Sequence, residues 1–506
     1  MECGGKKMVL KPIRTSKKFD DDDEEEEAVL LSPGSRMFHE PNFNIHIVAI
    51  MGWKIPLDID SLKAQLLSKL LKHPRFSSLQ VMDESGEMRW IPTIVNVDDH
   101  VIVPQLDVTN NMDTDKLVEQ YISNLSTTNI DISKPLWDYH ILNVKTSHAE
   151  ATSVFRFHHS LGDGIALMSL LLSCSRKPSD PTSLPTLPVS YSKEKKSNSS
   201  NRTNIRSLLW QYMVKLWLFI RLLFNTVVDV LLFGATALFL KDSQSPFTVA
   251  KGFNNKHSTR QRFVYRTLSL DDIKFIYKKC HKRIDVEGKM KEQMRCRATV
   301  LVNLRPALGV QVSIISSSCA AICVRSNGAI NYDELAGLAE MIEKNAIVIQ
   351  GNCFGFVLIP LDIAQLQNPL DYVHKAKISM DRKKRSLEAQ CTFYILQLFL
   401  NLFGFRGAAK LAKRVPSQTT LSFSNVAGPI EEVSWSGHPL AFLAPTCYGQ
   451  PTGLMVHACS YAKKLTFAIT VDEGMISDPN QLGDDFVDSF LSINEAARSK
   501  FRTKLH

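Results

Sequence analysis

Thr152-Ser153-Val154-Phe155-Arg156-Phe157-His158-His159-Ser160-Leu161-Gly162-Asp163-Gly164-Ile165-Ala166-Leu167-Met168-Ser169 is the stretch whose reading settles the fold. Residues 152–157 are β-branched and aromatic, the composition of a buried strand. Residues 165–173 form an apolar run consistent with a buried helix. Between them lies a loop carried by rigid elements at both ends, the kind of place where catalytic side chains concentrate. An imidazole titrates near neutrality, so it can take a proton from a hydroxyl whose oxygen attacks a carbonyl. His159 is the candidate base, with His158 beside it and Asp163 four residues on. Gly162 and Gly164 permit a tight turn. Asp163 then either folds its carboxylate under the ring, fixing tautomer and orientation, or pairs with an arginine and holds the loop's shape. No metal is expected here, because adjacent histidines on an extended chain point to opposite sides.

Working outward, residues 44–51 and 139–144 read as further strands, and residues 58–71 as a helix with an acid-rich start. Residues 176–204 are dominated by Pro, Ser, Lys and Asn and mark the best boundary in the chain. Beyond it, residues 262–268, 298–303, 353–360, 420–424, 440–444 and 465–471 are strand candidates, and residues 270–279 and 480–497 helices. Strands and helices in both halves argue for α/β layers rather than a bundle. A chain of 506 residues exceeds what one core organises, so two domains are expected. The division is a charged tail over 1–28, an N-terminal domain over 29–178, a linker over 179–204, a hydrophobic segment over 205–241 and a C-terminal domain over 242–506.

The net charge of +9 is uneven, since Asp20 to Glu27 is an unbroken acidic run. The basic remainder suits a polyanionic cofactor or an anionic membrane. Nucleic acid is not expected, as neither a zinc finger nor an RNA-binding signature occurs. Ten scattered cysteines read as reduced thiols facing the cytosol. No apolar run follows Lys6, Lys7 and Lys11, so a cleaved secretory signal is not expected. Residues 208–220 are mostly apolar, with Arg206, Gln211, Lys215 and Arg221 on one half of the helical wheel, a pattern that suits an interfacial helix. Residues 222–240 reach the length of a membrane span, but the central Asp229 costs about 2.5–3.5 kcal/mol on insertion scales. The alternative is a core helix in which a partner satisfies Asp229. Attachment to a membrane surface is the expectation.

The motif His158-His159-Ser160-Leu161-Gly162-Asp163-Gly164, with Lys134-Pro135-Leu136-Trp137-Asp138 upstream, resembles the wax ester synthase/diacylglycerol acyltransferase family in its plant branch. Ser32-Pro33, Phe38-His39-Glu40-Pro41, Val302-Asn303-Leu304-Arg305-Pro306, Gly351-Asn352 with Gly355, Asn425-Val426-Ala427-Gly428-Pro429, Val471-Asp472 and Ser477-Asp478-Pro479 resemble its other elements, in the right order. The resemblance implies two chloramphenicol-acetyltransferase-like α/β domains with an interdomain channel. It implies acyl-CoA as co-substrate, no bound cofactor, and a long-chain alcohol or diacylglycerol meeting it at His159. It also implies the endoplasmic reticulum membrane, with the plasma membrane as the alternative, and an active site facing the cytosol.

Pro135, Leu136 and Trp137 are expected to shape the loop and pack the core, with Trp137 a candidate for the acyl channel. Asn425 and Gly428 are expected to set a turn, Asp472 to be structural, and Arg382-Lys383-Lys384-Arg385 to be a solvated helix face, with anionic lipid or CoA phosphates as its alternative partners. The family's Asn-Asp element after residues 270–276 is not found, and residues 311–350 form an unfamiliar Ser/Cys/Ile-rich piece. Two other readings compete: a catalytically impaired lipid-binding relative, and a soluble HxxxD acyltransferase of specialised metabolism, whose Asp-Phe-Gly-Trp-Gly motif is absent.

Overall fold

The computed structural model describes residues 29–41, 43–107, 113–185, 205–245, 247, 260–279, 295–304, 352, 354–361 and 366–502. The charged tail, most of the linker, Arg305, Pro306 and Gly351, and the departures over 280–294 and 311–350 lie outside them.

In chain order the elements are β1 (Val29–Leu30), α1 (Pro33–Met37), β2 (His46–Trp53), α2 (Ile59–Ser68), β3 (Ser78–Met82), β4 (Met88–Pro92), β5 (Val101–Ile102), α3 (Thr114–Leu125), β6 (Trp137–Ile141), β7 (Ala151–His158), α4 (Gly164–Cys174) and α5 (Ile205–Leu238). There follow β8 (Gln261–Ser269), α6 (Leu270–Lys279), β9 (Arg297–Asn303), β10 (Phe354–Pro360), α7 (Pro369–Lys383), α8 (Glu388–Arg414), β11 (Leu421–Ala427), β12 (Ser434–Trp435), β13 (His438–Tyr448), β14 (Leu454–Tyr461), β15 (Lys464–Asp472) and α9 (Pro479–Arg502). The helices begin where side chains can satisfy their orphan amides: Asp58 accepts from Ser61 N, Asp113 from Lys116 N and Asp163 from Ala166 N. The strand expected to run to residue 144 stops at Ile141. Asn143 adopts φ 47°, and its carboxamide bonds both the N–H and the carbonyl of Leu57.

Two six-stranded sheets organise the molecule, in the orders β12-β13-β2-β7-β6-β5 and β10-β9-β11-β14-β15-β8. The first contains β13, which comes from the C-terminal half and pairs antiparallel with β2. The division at the linker assigned residues 438–448 to the C-terminal domain; the ladder places them in the N-terminal sheet. The register explains the crossing. Leu443 and Pro445 of β13 line one side of the sheet with Ile47, Ala49, Met51, Phe155 and Phe157, packed by α4. On the other side Val48, Ile50, Val154 and Ala444 join Val118 and Ile122 of α3 and Phe263 and Tyr265 of β8. This alternation is the period-2 pattern of a sheet buried on both faces.

Residues 205–238 form one continuous helix rather than an interfacial helix followed by a span. Asp229 is fully buried and is paired within the protein: Lys383 lies 2.9 Å and Arg382 2.6 Å from its Oδ1. Lys383 also reaches Glu388 at 2.7 Å, and Glu388 accepts from Leu358 N at 3.0 Å. The basic run 382–385, expected to be solvated, thus contributes a buried ion cluster that pins α5 to α7, α8 and β10. Replacing Lys383 by Met leaves the buried Glu388 without a cation and Asp229 with Arg382 alone. Breaking a buried pair costs roughly 3–5 kcal/mol, so thermal unfolding of Lys383→Met should begin at clearly lower temperature than wild type.

Candidate active site

β7 is buried along its whole length and delivers His158 and His159 to its end. There the chain turns through a single 3-10 turn over His159–Leu161 before entering α4. The main chain of His159 is fixed from both sides. Its N–H donates to the Ile45 carbonyl at 2.9 Å, and its carbonyl accepts from Asn352 Nδ2 at 3.1 Å. Phe38, itself buried, stacks on the imidazole at 4.2 Å with an interplanar angle of 18°. Nδ1 is enclosed, and the residue as a whole keeps some accessible surface. Burial lowers the ring's pKa below the ordinary histidine value, while its own carbonyl, the Asp163 carboxylate and Asn352 pull the other way. A neutral imidazole in this position can accept a proton.

The other predicted residues divide into those that hold this loop and those that border a cleft. His158 points away from His159. Its Nδ1 faces the Ser160 hydroxyl at 2.6 Å and its Nε2 the Asn44 Oδ1 at 3.0 Å, partners that assign Nε2–H as donor. Burial pushes its pKa well below normal, so it serves as a neutral bracket for the loop. Asp163 caps α4 through Ala166 N at 3.2 Å and favours the protonated His159 ring through its charge. Leu136 accepts from His158 N at 3.0 Å, and Pro135 from Trp137 N at 2.8 Å, so this element splints the motif. Trp137 is not a channel residue. It is fully buried, stacked on His100 at 4.1 Å, with its indole N–H donating to the Phe76 carbonyl.

Gly164 borders an apolar cleft between the sheet and α4, enclosing about 610 Å³ of empty space partly continuous with solvent. Ile47, Phe157, Leu167, Leu171 and Val426 are among its walls, and none of the lining side chains is charged. Val426 carries the C-terminal half into that wall, 3.1 Å from where a side chain on Gly164 would begin. Asn425 was expected to set a turn but lies within β11, opposite Ala458 of β14, with its Oδ1 enclosed and unpartnered. Gly428 directly follows β11 and lies close against β14. A Cβ there would sit 2.3 Å from the Ser460 carbonyl, and its N–H donates to that same oxygen at 3.0 Å. Asp472 accepts from Gln261 Nε2 at 2.7 Å and is structural.

Two family models match the sequence: the wax ester synthase/diacylglycerol acyltransferase catalytic domain over residues 54–286, and the WS/DGAT C-terminal domain over residues 350–494. The chain belongs to the wax ester synthase/diacylglycerol acyltransferase family. It is 38% identical over 491 residues to wax ester synthase/diacylglycerol acyltransferase 11 of Arabidopsis thaliana, covering 92% of this chain and 94% of the relative. It is 39% identical over 514 residues to member 6 from the same plant, covering 93% and 94%. Among solved structures, the wax ester synthase/diacylglycerol acyltransferase from Marinobacter aquaeolei VT8 superposes with a TM-score of 0.53 at 14% identity, covering 93% of this chain and all of that one, a likeness of fold. The unfamiliar piece over 311–350 falls almost wholly in the interval that separates the two family matches.

Phe38, Asn352 and Asn44 are the site residues of this WS/DGAT chain that the sequence did not assign. Phe38 and Asn352 stood inside recognised motifs, but nothing local said that they meet His159 from distant parts of the chain. Three further histidines are also withdrawn from solvent, His46 and His457 buried and His73 partly buried. Burial holds His46 and His457 at about 3 and His73 at about 4, all below the ordinary 6.5. In the unfolded chain each would protonate near 6.5, so the fold binds fewer protons than the unfolded state below that pH. Their contribution to stability is complete above about pH 6.5 and is lost as pH falls toward 4 and then 3. The melting temperature should therefore drop steadily between pH 6.5 and pH 4, as differential scanning fluorimetry in matched ionic strength would show.

Proposed function

We propose that this chain is an acyl-CoA-dependent O-acyltransferase that makes wax esters from long-chain fatty alcohols and also acylates diacylglycerol to triacylglycerol. The observation that carries the reading is His159: a partly accessible imidazole with Nδ1 turned inward and its main chain clamped, in the loop that leads to Gly164 and the uncharged cleft. The curated relatives bear both substrate names.

The alcohol hydroxyl gives its proton to His159 Nε2 as its oxygen attacks the thioester carbonyl. The tetrahedral intermediate collapses, the C–S bond breaks, and the imidazolium returns the proton to the CoA thiolate. No covalent acyl-enzyme is needed. The cleft beside Gly164 is lined by apolar side chains, the surroundings an acyl chain seeks, since its transfer out of water is favourable by about 0.8 kcal/mol per CH₂. The reaction is assigned to the cytosolic face of the endoplasmic reticulum membrane, where the exposed apolar surface of α5 meets lipid.

Purified protein given labelled palmitoyl-CoA and hexadecanol should form wax ester, and His159→Ala should lower kcat on the order of 10²–10⁴-fold, the usual worth of a positioned base. Equal product from both proteins removes His159 from the mechanism. Because only the neutral ring accepts a proton and burial lowers its pKa, kcat/KM should be flat from pH 7.5 down to about 6.5 and fall only below it.

A further inference from the structure

Among the described residues, none packs closely around the first half of α5. Leu209, Trp210, Met213, Leu216, Trp217 and Phe224 are all exposed, and their neighbours over residues 209–224 are exposed as well or nearly so. From Asn225 onward the same helix is locked. Asn225 donates to the Arg385 carbonyl at 3.0 Å, the Thr226 hydroxyl accepts from Leu387 N at 2.9 Å, and Asp229 sits in the buried ion cluster. Counted from the start of α5 at Ile205, the helix before Asn225 is about 30 Å long at 1.5 Å per residue, comparable to the hydrocarbon core of a bilayer. Length alone admits a span, so charge and the neighbouring face of α8 decide how the helix meets lipid.

A second apolar face lies on α8, the helix that packs the rooted half of α5 through Leu396, Phe399 and Phe233. Tyr394, Leu398, Leu402 and Phe403 are exposed at helical spacing, Leu402 and Phe403 by 65% and 62%. Immediately after them Gly404 takes φ 64°, a conformation open to glycine, and turns the chain back. The turn brings Phe405 under Arg36 of α1 at 5.3 Å and Arg406 within 3.9 Å of Glu40. Phe38, which stacks on His159, lies between those two contact residues.

Charge decides what covers these faces. α5 and α8 each contain a single acid, Asp229 and Glu388, and both are buried in the ion cluster. Their exposed charges are all cationic, among them Lys215, Arg221, Arg406 and Lys410. Gln211, Lys215 and Arg221 share one half of the α5 wheel, and Trp210 and Trp217 lie beside Arg221 on that half, placing aromatic and basic side chains together where a lipid headgroup plane takes both.

We propose that this chain docks on one leaflet of an anionic lipid surface, with residues 209–224 of α5 lying in the membrane plane and the bend of α8 at Leu402–Phe403 inserted beside them. The inference deepens the reading of a membrane-acting acyltransferase, for it puts the lipid surface next to α1 and so next to the ring that α1's neighbour Phe38 covers. It does not require turnover.

The chain carries its own probe. Of six tryptophans, Trp53, Trp90, Trp137 and Trp435 are buried, leaving Trp210 and Trp217 for lipid to reach. The full chain should float with phosphatidylcholine vesicles containing phosphatidylserine, more weakly with phosphatidylcholine alone, and brominated acyl chains should quench its fluorescence. Trp210→Phe and Trp217→Phe should report the same quenching depth from the residue each retains. A depth difference of about 10 Å, the rise over seven residues, means a helix along the membrane normal and overturns the proposal. The double variant Leu402→Glu with Phe403→Glu should lose about tenfold or more in vesicle partitioning, since burying each side chain is worth a large part of one decade or more. Its activity on a short-chain, water-soluble alcohol should be unchanged. Absence of flotation overturns the docking whatever the activity shows. So does a lipid-free dimer that the double variant dissociates, because the face would then be covered by a second copy. Flotation of a chain without acyltransferase activity leaves the docking standing and removes the catalytic reading alone.

Discussion

The amide N–H and the carbonyl of residue 159 are tied to opposite parts of the chain, and most of the architecture can be understood as the means of doing so. The N–H is taken by Ile45, at the start of the central strand of the first sheet. The carbonyl is taken by Asn352, just before β10 of the second sheet. A histidine that works as a base must present one nitrogen in one direction for every turnover. Two main-chain bonds and a stacked Phe38 fix that direction without using the ring's own donors and acceptors. His158 shows the contrasting arrangement, with both nitrogens engaged and its ring spent on holding the loop.

Such a clamp demands that the two sheets not move relative to each other, and the exchange of β13 meets that demand. By pairing with β2 over its length, β13 makes the C-terminal half part of the N-terminal sheet. β14 follows at once in the other sheet, so the two halves are joined by a continuous hairpin of backbone rather than by surface contact alone. The crossing also sets Thr446 and Cys447 of β13 against His457 of β14, with Thr446 bonded to Thr470 at 2.6 Å, so the seam is polar only where partners exist.

Local pattern made the elements around the motif legible: the β7 strand and the apolar α4 helix are nearest-neighbour features, whereas the cap that Asp163 provides to α4 was not among the roles read for it. α6 was read to its last residue, because Leu270, Ile273 and Ile276 keep helical period after an acidic start. Elements without such a pattern were not read. β14 mixes His457, Cys459 and Ser460 into an apolar run and is buried throughout, so it shows neither alternation nor a pure hydrophobic block. α8 is apolar on both faces because one meets protein and the other does not, which erases the amphipathic signal. Within the site, the residue types were visible and the meetings were not. Nothing near Asn352 tells that its amide will find residue 159, and nothing near Phe38 tells which ring it will cover.

Asp229 shows how a single polar residue inside an apolar helix can decide between two fates. On composition alone, residues 209–238 are long and apolar enough to span a membrane. A carboxylate at the middle of such a span would have to be neutralised or supplied with water. Here the protein supplies Lys383 and Arg382 instead, and the same lysine satisfies Glu388, which in turn accepts the amide of Leu358 in β10. The charge that argues against insertion is therefore the one that anchors the helix to the sheet bearing Asn352's neighbours. A chain of fixed contacts then runs from the root of α5 through α8 and its bend to α1. There Phe38 meets the catalytic ring, so that the part of the molecule without a protein partner is mechanically continuous with the part that must not move.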